Sequence, residues 1–243
     1  MGDFSSLDGT MEFFTRVNAL LQPHFKVLDF GAGRGSWFWE DEIPFRRSLR
    51  DIRSKVAEYI GVDVDEAVLQ NATTSRNMVL QEGRIPLGDE SIDMIICDYV
   101  LEHINDVEAF RAEIDRVLKS GGIFCGRTPH ACNYASIVAR LIKNRNHAKL
   151  LAKAQPNRRV VDVFPSAYRC NTLSAVARLF RGWENRTYLY APEPAYFFGS
   201  KAIFRIMSAV HRIAPTPIIS NLYVFVRKKR DGDANAPRRG NAR

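Results

Sequence analysis

The chain contains no run of about 18 apolar residues, so no part of it is expected to cross a membrane as a helix. Its opening, MGDFSSLDGT, lacks an apolar leader stretch. Gly2 and Ser6 do meet the loose myristoylation pattern, which so short a pattern often meets by chance. Cysteine is scarce. Cys97, Cys125, Cys132 and Cys170 make no CxxC pair, which argues against a disulfide framework and against a zinc site, and no metal is expected. Cys97 and Cys125 fall in apolar runs and read as buried, reduced thiols. What the back of the chain lacks most is acid. Residues 141–243 hold 5 Asp and Glu against 20 Lys and Arg, a balance of +15, whereas residues 1–140 hold 22 against 15, a balance of −7. That split suggests an anionic partner for the back half: nucleic acid, a phospholipid surface or a phosphorylated acceptor. Aromatics are not interleaved with the basic residues in a recognisable RNA-binding module, so nucleic acid is not the expected partner.

What is present is ordinary globular composition, 243 residues with 46% hydrophobic, enough for one α/β domain with additions. The front half alternates short apolar runs with helical patterns, as βαβ units do. Strands are expected at Lys26–Phe30, Glu58–Asp63, 77–80, 92–97 and 122–127. Between the last two, Asn105 and Glu108 form a possible capping box. Val107, Phe110, Ile114, Val117 and Leu118 then share one helical face, and Gly121 and Gly122 are expected to stop that helix. A long connection over 128–170 follows, then a helix over 171–180 and strands over 186–190 and 222–226. The end, 228–243, mixes Arg, Gly, Asn and Pro and is expected to be a disordered basic tail.

The strongest local signal is Val27-Leu28-Asp29-Phe30-Gly31-Ala32-Gly33-Arg34-Gly35. A strand ends in an acid, three glycines alternate, and a helix is expected to begin. Glycines let backbone and ligand approach closely, and a helix start would offer N–H groups to a carboxylate. The dinucleotide pattern GxGxxG asks for glycine where Ser36 stands, and Asp29 would repel a pyrophosphate. An acid there suits a zwitterionic ligand carrying an ammonium group. The plain alternative is a tight strand-to-helix turn. The second strand ends at Gly61-Val62-Asp63, which places Asp63 to accept hydrogen bonds from a ribose diol or, alternatively, to cap the helix beginning near Asp65.

Four stretches in order, VLDFGAGRG, YIGVDVD, RIPLGDESIDMIICDYVLEHI and RVLKSGGIF, resemble the methyltransferase type-11 group of class I enzymes that use S-adenosylmethionine. The resemblance covers about residues 26–127. It implies a Rossmann-like seven-stranded α/β sheet in the order 3-2-1-4-5-7-6, the last strand antiparallel, with helices on both faces. The methyltransferase domain would occupy 1–227, with an acceptor-side insertion at about 128–170 and a helical insertion at about 191–221. S-adenosylmethionine is the implied cofactor. The resemblance makes Asp29, Gly31, Gly33 and Gly35 the cofactor loop, and Asp63 the ribose ligand. Gln81 or Glu82 falls in the region that approaches the adenine. By the same resemblance, Asp98 and Tyr99 would lie under the methionine end and the transferring methyl. The link from Arg34 to Asp63 is longer than usual, and its Trp37, Trp39 and Phe45 could be an extra core patch or part of an acceptor pocket.

A hydroxyl acceptor benefits from a base, and His103 and His130 are candidates near the carboxyl ends of strands. Each could instead be structural, and positioning alone could suffice. The stretch DVFPSAYRCNT (162–172) resembles an FP-x-x-YR-x-NT segment of bacterial methyltransferases associated with surface polysaccharides and glycolipids, which makes Tyr168 and Arg169 candidate acceptor contacts. Within 200–214, Ile203, Ile206, Met207, Val210 and Ile213 line one helical face and Lys201, Arg205, Ser208 and Arg212 another. Such a helix can cover a core edge or lie in an anionic membrane interface. The resulting expectation is a cytoplasmic methyltransferase, possible as a peripheral protein at the inner membrane surface, acting on a hydroxyl of a sugar, a lipid-linked saccharide or another small molecule. An RNA methyltransferase and a cofactor-binding module without catalysis are the alternatives.

Overall fold

The computed structural model describes residues 7–141, 166–194 and 200–230. Helix α1 (Gly9–Leu20) opens it, with Asp8 as N-cap accepting from the backbone N–H of Thr10 and Met11. Strand β1 (Lys26–Phe30) follows, then the short helices α2 (Trp37–Glu40) and α3 (Pro44–Arg50), β2 (Glu58–Asp63), β3 (Arg76–Val79), β4 (Ile92–Asp98), α4 (Val107–Val117) and β5 (Leu118–Pro129). Beyond these lie α5 (Tyr134–Leu141), α6 (Leu173–Leu179), β6 (Glu184–Asn185), β7 (Tyr188–Tyr190), α7 (Lys201–Ile213), α8 (Thr216–Ile219) and β8 (Asn221–Arg227).

The strands form one sheet in the order β3-β2-β1-β4-β5-β8-β6, with β7 also paired to β8. Strands β1 to β5 run parallel, and β8 is antiparallel to β5, β6 and β7. This is the expected order, with the sixth position filled by two short strands. The Asn185 side chain causes the break by accepting from the N–H of Thr187, a local bond that competes with the ladder. Arg186 still donates to the Phe225 carbonyl across the gap.

Alternation along each strand builds two cores. Val27, Tyr59, Met94, Ile96, Ile123, Cys125, Tyr223 and Phe225 pack under Phe13, Phe14 and Val17 of α1. Their neighbours Leu28, Ile60, Ile95, Cys97, Phe124, Leu222 and Val224 pack against Phe110, Ile114 and Val117 of α4 and Val176 and Leu179 of α6. Both faces are therefore covered, as parallel sheets require.

Several local expectations are corrected. The N-cap of α4 is Asp106, whose carboxylate accepts from the Ala109 N–H, so Asn105 and Glu108 form no capping box. The helix ends at Val117, before the glycines; β5 begins at Leu118, and residues 119–122 bulge between the pairs Ile92–Leu118 and Met94–Ile123, helped by the left-handed backbone of Gly121. Helix α6 runs over Leu173–Leu179, inside the expected 171–180, with Thr172 as its N-cap. The third strand starts one residue early, at Arg76, and the fifth reaches Pro129, which takes 128–129 out of the expected insertion. The expected tail begins later than residue 228: the Lys228 ammonium donates to the carbonyls of Asp115 and Leu118, and its N–H to Gly122. The rest of that expectation, 231–243, and most of the 128–170 insertion lie outside the described residues.

One charged pair sits inside this apolar frame. Arg127, 3% exposed, donates from Nε and Nη2 to the two oxygens of Asp98 at 2.7 and 2.8 Å, and from Nη1 to Thr10 at 3.0 Å. Removing one partner of a buried pair strands the other charge, which costs about 3–5 kcal/mol. Arg127→Met is therefore expected to lower the urea-derived unfolding free energy by about that amount. Asp98→Asn combined with Arg127→Met is expected to recover part of the loss. A single-variant loss below about 1 kcal/mol, the scale of an ordinary hydrogen bond, would show that the pair does not carry this joint.

Candidate functional site

The carboxyl ends of β1, β2, β4 and β5 meet on one edge of the sheet, where ligands of open α/β sheets bind. After β1 the chain turns through Gly31, Gly33 and Gly35, all at positive φ. The N–H groups of Gly31 and Ala32 donate to the Val62 carbonyl, which folds the loop onto the tip of β2. Gly33 N–H then donates to Asp63 Oδ2 at 2.9 Å. A side chain at Gly31 would run into Val100, whereas one at Gly33 would meet nothing within 4 Å. The left-handed turn at Gly33 is thus open above its backbone, a cradle that a Cβ would fill. Asp63 Oδ1 accepts from the Asp65 N–H at 3.1 Å, and Asp65 itself caps the next turn by accepting from Ala67. Asp63 therefore braces the glycine loop from across the tip of β2, and it is Asp65 that caps.

The helix expected after the glycines is four residues long, α2, and Pro44 starts a second, separate one, α3. So short a helix presents little of a dipole to a carboxylate. A cation stands there instead. Arg50, at the end of α3, lies over the Trp37 ring at 4.7 Å and the Phe14 ring at 5.3 Å, with Nη2 3.9 Å from Asp98 Oδ2. Its Nε is buried and has no hydrogen-bond partner. Burial holds this guanidinium below the usual arginine range, with Asp98 opposing. Asp29 faces the same region. The Tyr59 hydroxyl donates to Asp29 Oδ2 at 2.7 Å, and burial pushes the Asp29 carboxyl up to about 6 against that hydrogen bond.

At the tip of β4, Asp98 is held by Arg127 and Tyr99 adopts a left-handed backbone with φ 57°. The Tyr99 N–H donates to the Arg127 carbonyl, its hydroxyl accepts from Asn221 Nδ2 at 2.8 Å, and the Arg127 guanidinium lies 4.6 Å from its ring. Glu82 sits apart, exposed at φ 51° on a turn closed by the Gln81–Arg84 backbone pair. That turn follows Leu80, whose N–H donates to the Asp63 carbonyl, so it flanks the β2 tip.

His103 closes a short 3-10 turn, Leu101–His103, that follows the tip of β4, and is half-buried. His130 is buried and committed on both sides. Its Nδ1 accepts from the Cys132 N–H at 3.1 Å, and its ring also hydrogen-bonds the Pro217 backbone. Burial lowers its pKa, so the ring is held as a neutral brace between the end of β5 and α8. Tyr168 has φ 52° and donates its N–H to the Glu102 carbonyl at 3.0 Å, while Arg169 is exposed. Asp162 to Pro165 of the same stretch lie outside the described residues.

Several residues of this edge were not singled out from sequence. Arg50 and Tyr59 are two. A buried trio is another: Thr128 donates to Glu102 Oε2 at 2.7 Å, and Asn171 Nδ2 donates to Thr128 at 2.5 Å and to the Pro129 carbonyl at 3.0 Å. It ties the Tyr168 segment to the tip of β5. A usable signal existed for Arg127, because a lone charge closing the apolar run GGIFCGR needs a buried counter-ion, and Asp98 ends the neighbouring strand. Nothing of that kind marks Arg50.

Residues 28–126 match the family described as Methyltransferase domain. An uncharacterised methyltransferase, YcgJ, of Bacillus subtilis is 32% identical over 108 residues, 41% of this chain and 38% of that protein. The ubiquinone/menaquinone biosynthesis C-methyltransferase UbiE of Burkholderia cenocepacia is 28% identical over 120 residues, 45% of each. The chain thus spans less than half the length of these curated relatives. A crystal structure of an S-adenosylmethionine-dependent methyltransferase from Mesorhizobium loti superposes with a TM-score of 0.55 at 18% identity, covering 92% of this chain and 100% of that one, a likeness of fold. Over residues 28–126 this chain is thus similar to S-adenosylmethionine-dependent methyltransferase domains, by a family match and by curated relatives of which it covers less than half.

Proposed function

We propose that the protein transfers the methyl group of S-adenosylmethionine to a hydroxyl of a sugar, a lipid-linked saccharide or another small molecule. The observation that carries the cofactor assignment is the open left-handed turn at Gly33, braced by Asp63, together with a buried Arg50 over Trp37 whose Nε has no partner. The donor set fits the group. Arg50 would take its carboxylate, Asp29 its ammonium, and Asp63 the ribose diol, with the Glu82 turn beside the adenine and Asp98 and Tyr99 under the methyl end. When bound, S-adenosylmethionine supplies an electrophilic methyl on a sulfonium. The chain itself positions the acceptor, excludes water and receives the hydroxyl proton, with His103 as the base at the mouth of the site. His130 serves as a brace and not as that base.

The acceptor reading is supported by the aromatics of the β1–β2 link. Trp37 lies under Arg50, whereas Phe38, Trp39 and Phe45 are exposed on the same segment, directly beyond the glycine loop. Such rings offer flat apolar faces to a ring-shaped or lipidic acceptor. Tyr168 and Arg169 would bound it on the side of β5. A lipid-linked acceptor would bring the protein to an anionic membrane surface. The test is incubation with methyl-labelled S-adenosylmethionine and separated glycolipid, soluble and RNA fractions. Label in the glycolipid or soluble saccharide fraction is expected. Label in RNA would replace this acceptor, and cofactor binding without transfer to any fraction would leave a binding module.

Asp63→Ala removes a charged acceptor from the proposed diol and the brace on Gly33. Losing charge-assisted bonds of this kind costs about 1.5–3 kcal/mol, so calorimetry is expected to show roughly 10- to 150-fold weaker S-adenosylmethionine binding in a folded protein. Unchanged affinity would confine Asp63 to loop bracing.

The Asp29 carboxyl, at about 6, sets a pH dependence with opposite signs in the two states. Its folded value lies above the model-compound value of 3.8, so the unliganded fold binds the proton more readily than the unfolded chain. The contribution of Asp29 to stability is thus fully present below pH 3.8 and is lost as pH rises through about 6. Binding an ammonium demands the ionised form, so cofactor affinity is expected to fall as pH drops below about 6. Melting curves with and without S-adenosylmethionine between pH 5 and pH 7.5 measure both trends. The ligand-induced rise in Tm is expected to shrink at the lower pH, and Asp29→Asn is expected to flatten both. An equal shift at both pH values would remove Asp29 from the cofactor site.

A further inference from the structure

Helix α7 carries three faces where an ordinary surface helix carries two. Phe204, Met207 and His211 are half-buried toward the fold, the His211 ring lying 5.9 Å from that of Tyr134 and hydrogen-bonded to the Pro192 backbone. Ile203, Ile206, Val210 and Ile213 recur at helical spacing on another face and are exposed, Ile206 at 63% and Ile213 at 85%. Lys201, Arg205 and Arg212 form a basic flank between the two, exposed and without a carboxylate partner among the described residues. The helix contains no acidic residue. Of the five apolar residues expected on one face, Met207 turns toward the fold, while Ile203, Ile206, Val210 and Ile213 point outward and do not cover the core edge.

We infer that α7 docks the protein on an anionic phospholipid bilayer, lying in the plane of the interface with Ile203, Ile206, Val210 and Ile213 among the acyl chains and Lys201, Arg205 and Arg212 at the headgroups. This inference rests on the proposed lipid-linked acceptor for its purpose, though the surface is argued from the helix itself. A helix of 13 residues is about 20 Å long, too short to cross, and no described helix is long and apolar enough to do so. An interfacial helix needs what α7 has, an aliphatic face beside a basic one. A second copy of the chain fits the surface less well. A two-fold interface sets each patch against its own copy, so basic flank would face basic flank. Acid to relieve that contact is scarce, with 5 Asp and Glu against 20 Lys and Arg over residues 141–243. A bilayer of anionic lipid complements both faces together.

The test is co-sedimentation of the full-length protein with vesicles of phosphatidylcholine alone and of phosphatidylcholine with phosphatidylglycerol, with cofactor binding measured in parallel. Binding to the anionic vesicles alone is expected at low salt, weakening as salt shortens the screening length. Each basic residue near such a surface strengthens binding about five-fold, so Arg205→Glu with Arg212→Glu is expected to weaken it about 25-fold or more. Ile206→Asp with Ile213→Asp is expected to abolish vesicle binding while leaving the melting temperature and S-adenosylmethionine affinity unchanged, because both side chains are already exposed. Three results would overturn the inference: no sedimentation with anionic vesicles at low salt, sedimentation that none of the helix variants alters, or a protein dimer that Ile206→Asp disperses. Failure on vesicles with intact cofactor binding and methyl transfer would leave the enzymatic reading standing, whereas vesicle binding without methyl transfer would do the reverse.

Discussion

The buried pair of Asp98 and Arg127 is the constraint from which the rest of the site takes its shape. It clamps the tips of β4 and β5, and the third guanidinium nitrogen reaches Thr10, so helix α1 is drawn to the same point. The Arg127 carbonyl then accepts from Tyr99 and fixes the turn out of β4. Arg50 approaches Asp98 from the other side, and Asp29 lies within its field. Two guanidinium groups and two carboxylates thus share one partly buried region, neutral when both acids are ionised. A ligand group that is itself zwitterionic leaves that balance unchanged. A pyrophosphate would add negative charge beside Asp29 and Asp98 in a region of reduced dielectric, where such charge is costly. Under the proposed function, the electrostatics of the fold, and not the glycines alone, would discriminate between the two kinds of nucleotide.

The long β1–β2 link supplies what the short helix α2 does not. It is latched at its near end, where Arg46 donates to both oxygens of Asp41 and to Asp8, the N-cap of α1. Those contacts hold α3 in place, and α3 delivers Arg50. The same latch leaves Phe38, Trp39 and Phe45 outside the core. Under the proposed function, one segment would contribute a cation to the cofactor side and aromatic surface to the acceptor side, and the two are joined by Arg50 lying over Trp37.

Legibility in the sequence followed the range of the interaction. Strand positions were readable because alternation and glycine spacing are local, and β1 and β2 have the expected bounds, whereas the strand order was implied by the family resemblance alone. The glycine loop and its neighbour Asp63 were readable for the same reason, since one strand tip predicts where the next must lie. Local competition misled at finer scale. Asp106 outranks Asn105 as a cap because the helix begins one residue later, and the Asn185 side chain splits a strand whose hydrophobic pattern reads as continuous. Long-range pairings were not legible. Arg50 lies 48 positions from Asp98, and nothing near either announces the other. The outward stripe of α7 was likewise undetermined, because a helical period identifies a face without saying which way the helix is turned.

Backbone strain marks the rim independently of any motif. Among the described residues four non-glycine residues have positive φ, and three of them, Glu82, Tyr99 and Tyr168, are residues that the sequence singled out. A left-handed conformation costs a residue with a side chain about 1–2 kcal/mol, so each must be held from outside. Tyr99 is held by the Arg127 carbonyl and Asn221, Tyr168 by the Glu102 carbonyl, and Glu82 by the backbone pair of Gln81 and Arg84. For Tyr99 the restraint comes from β5 and β8, and for Tyr168 from the turn that follows β4. Their strain is thus offset by a sheet whose order is set elsewhere, by the two apolar cores. The rim can hold side chains at angles that no isolated loop would keep, because the strands beneath it have no freedom to yield.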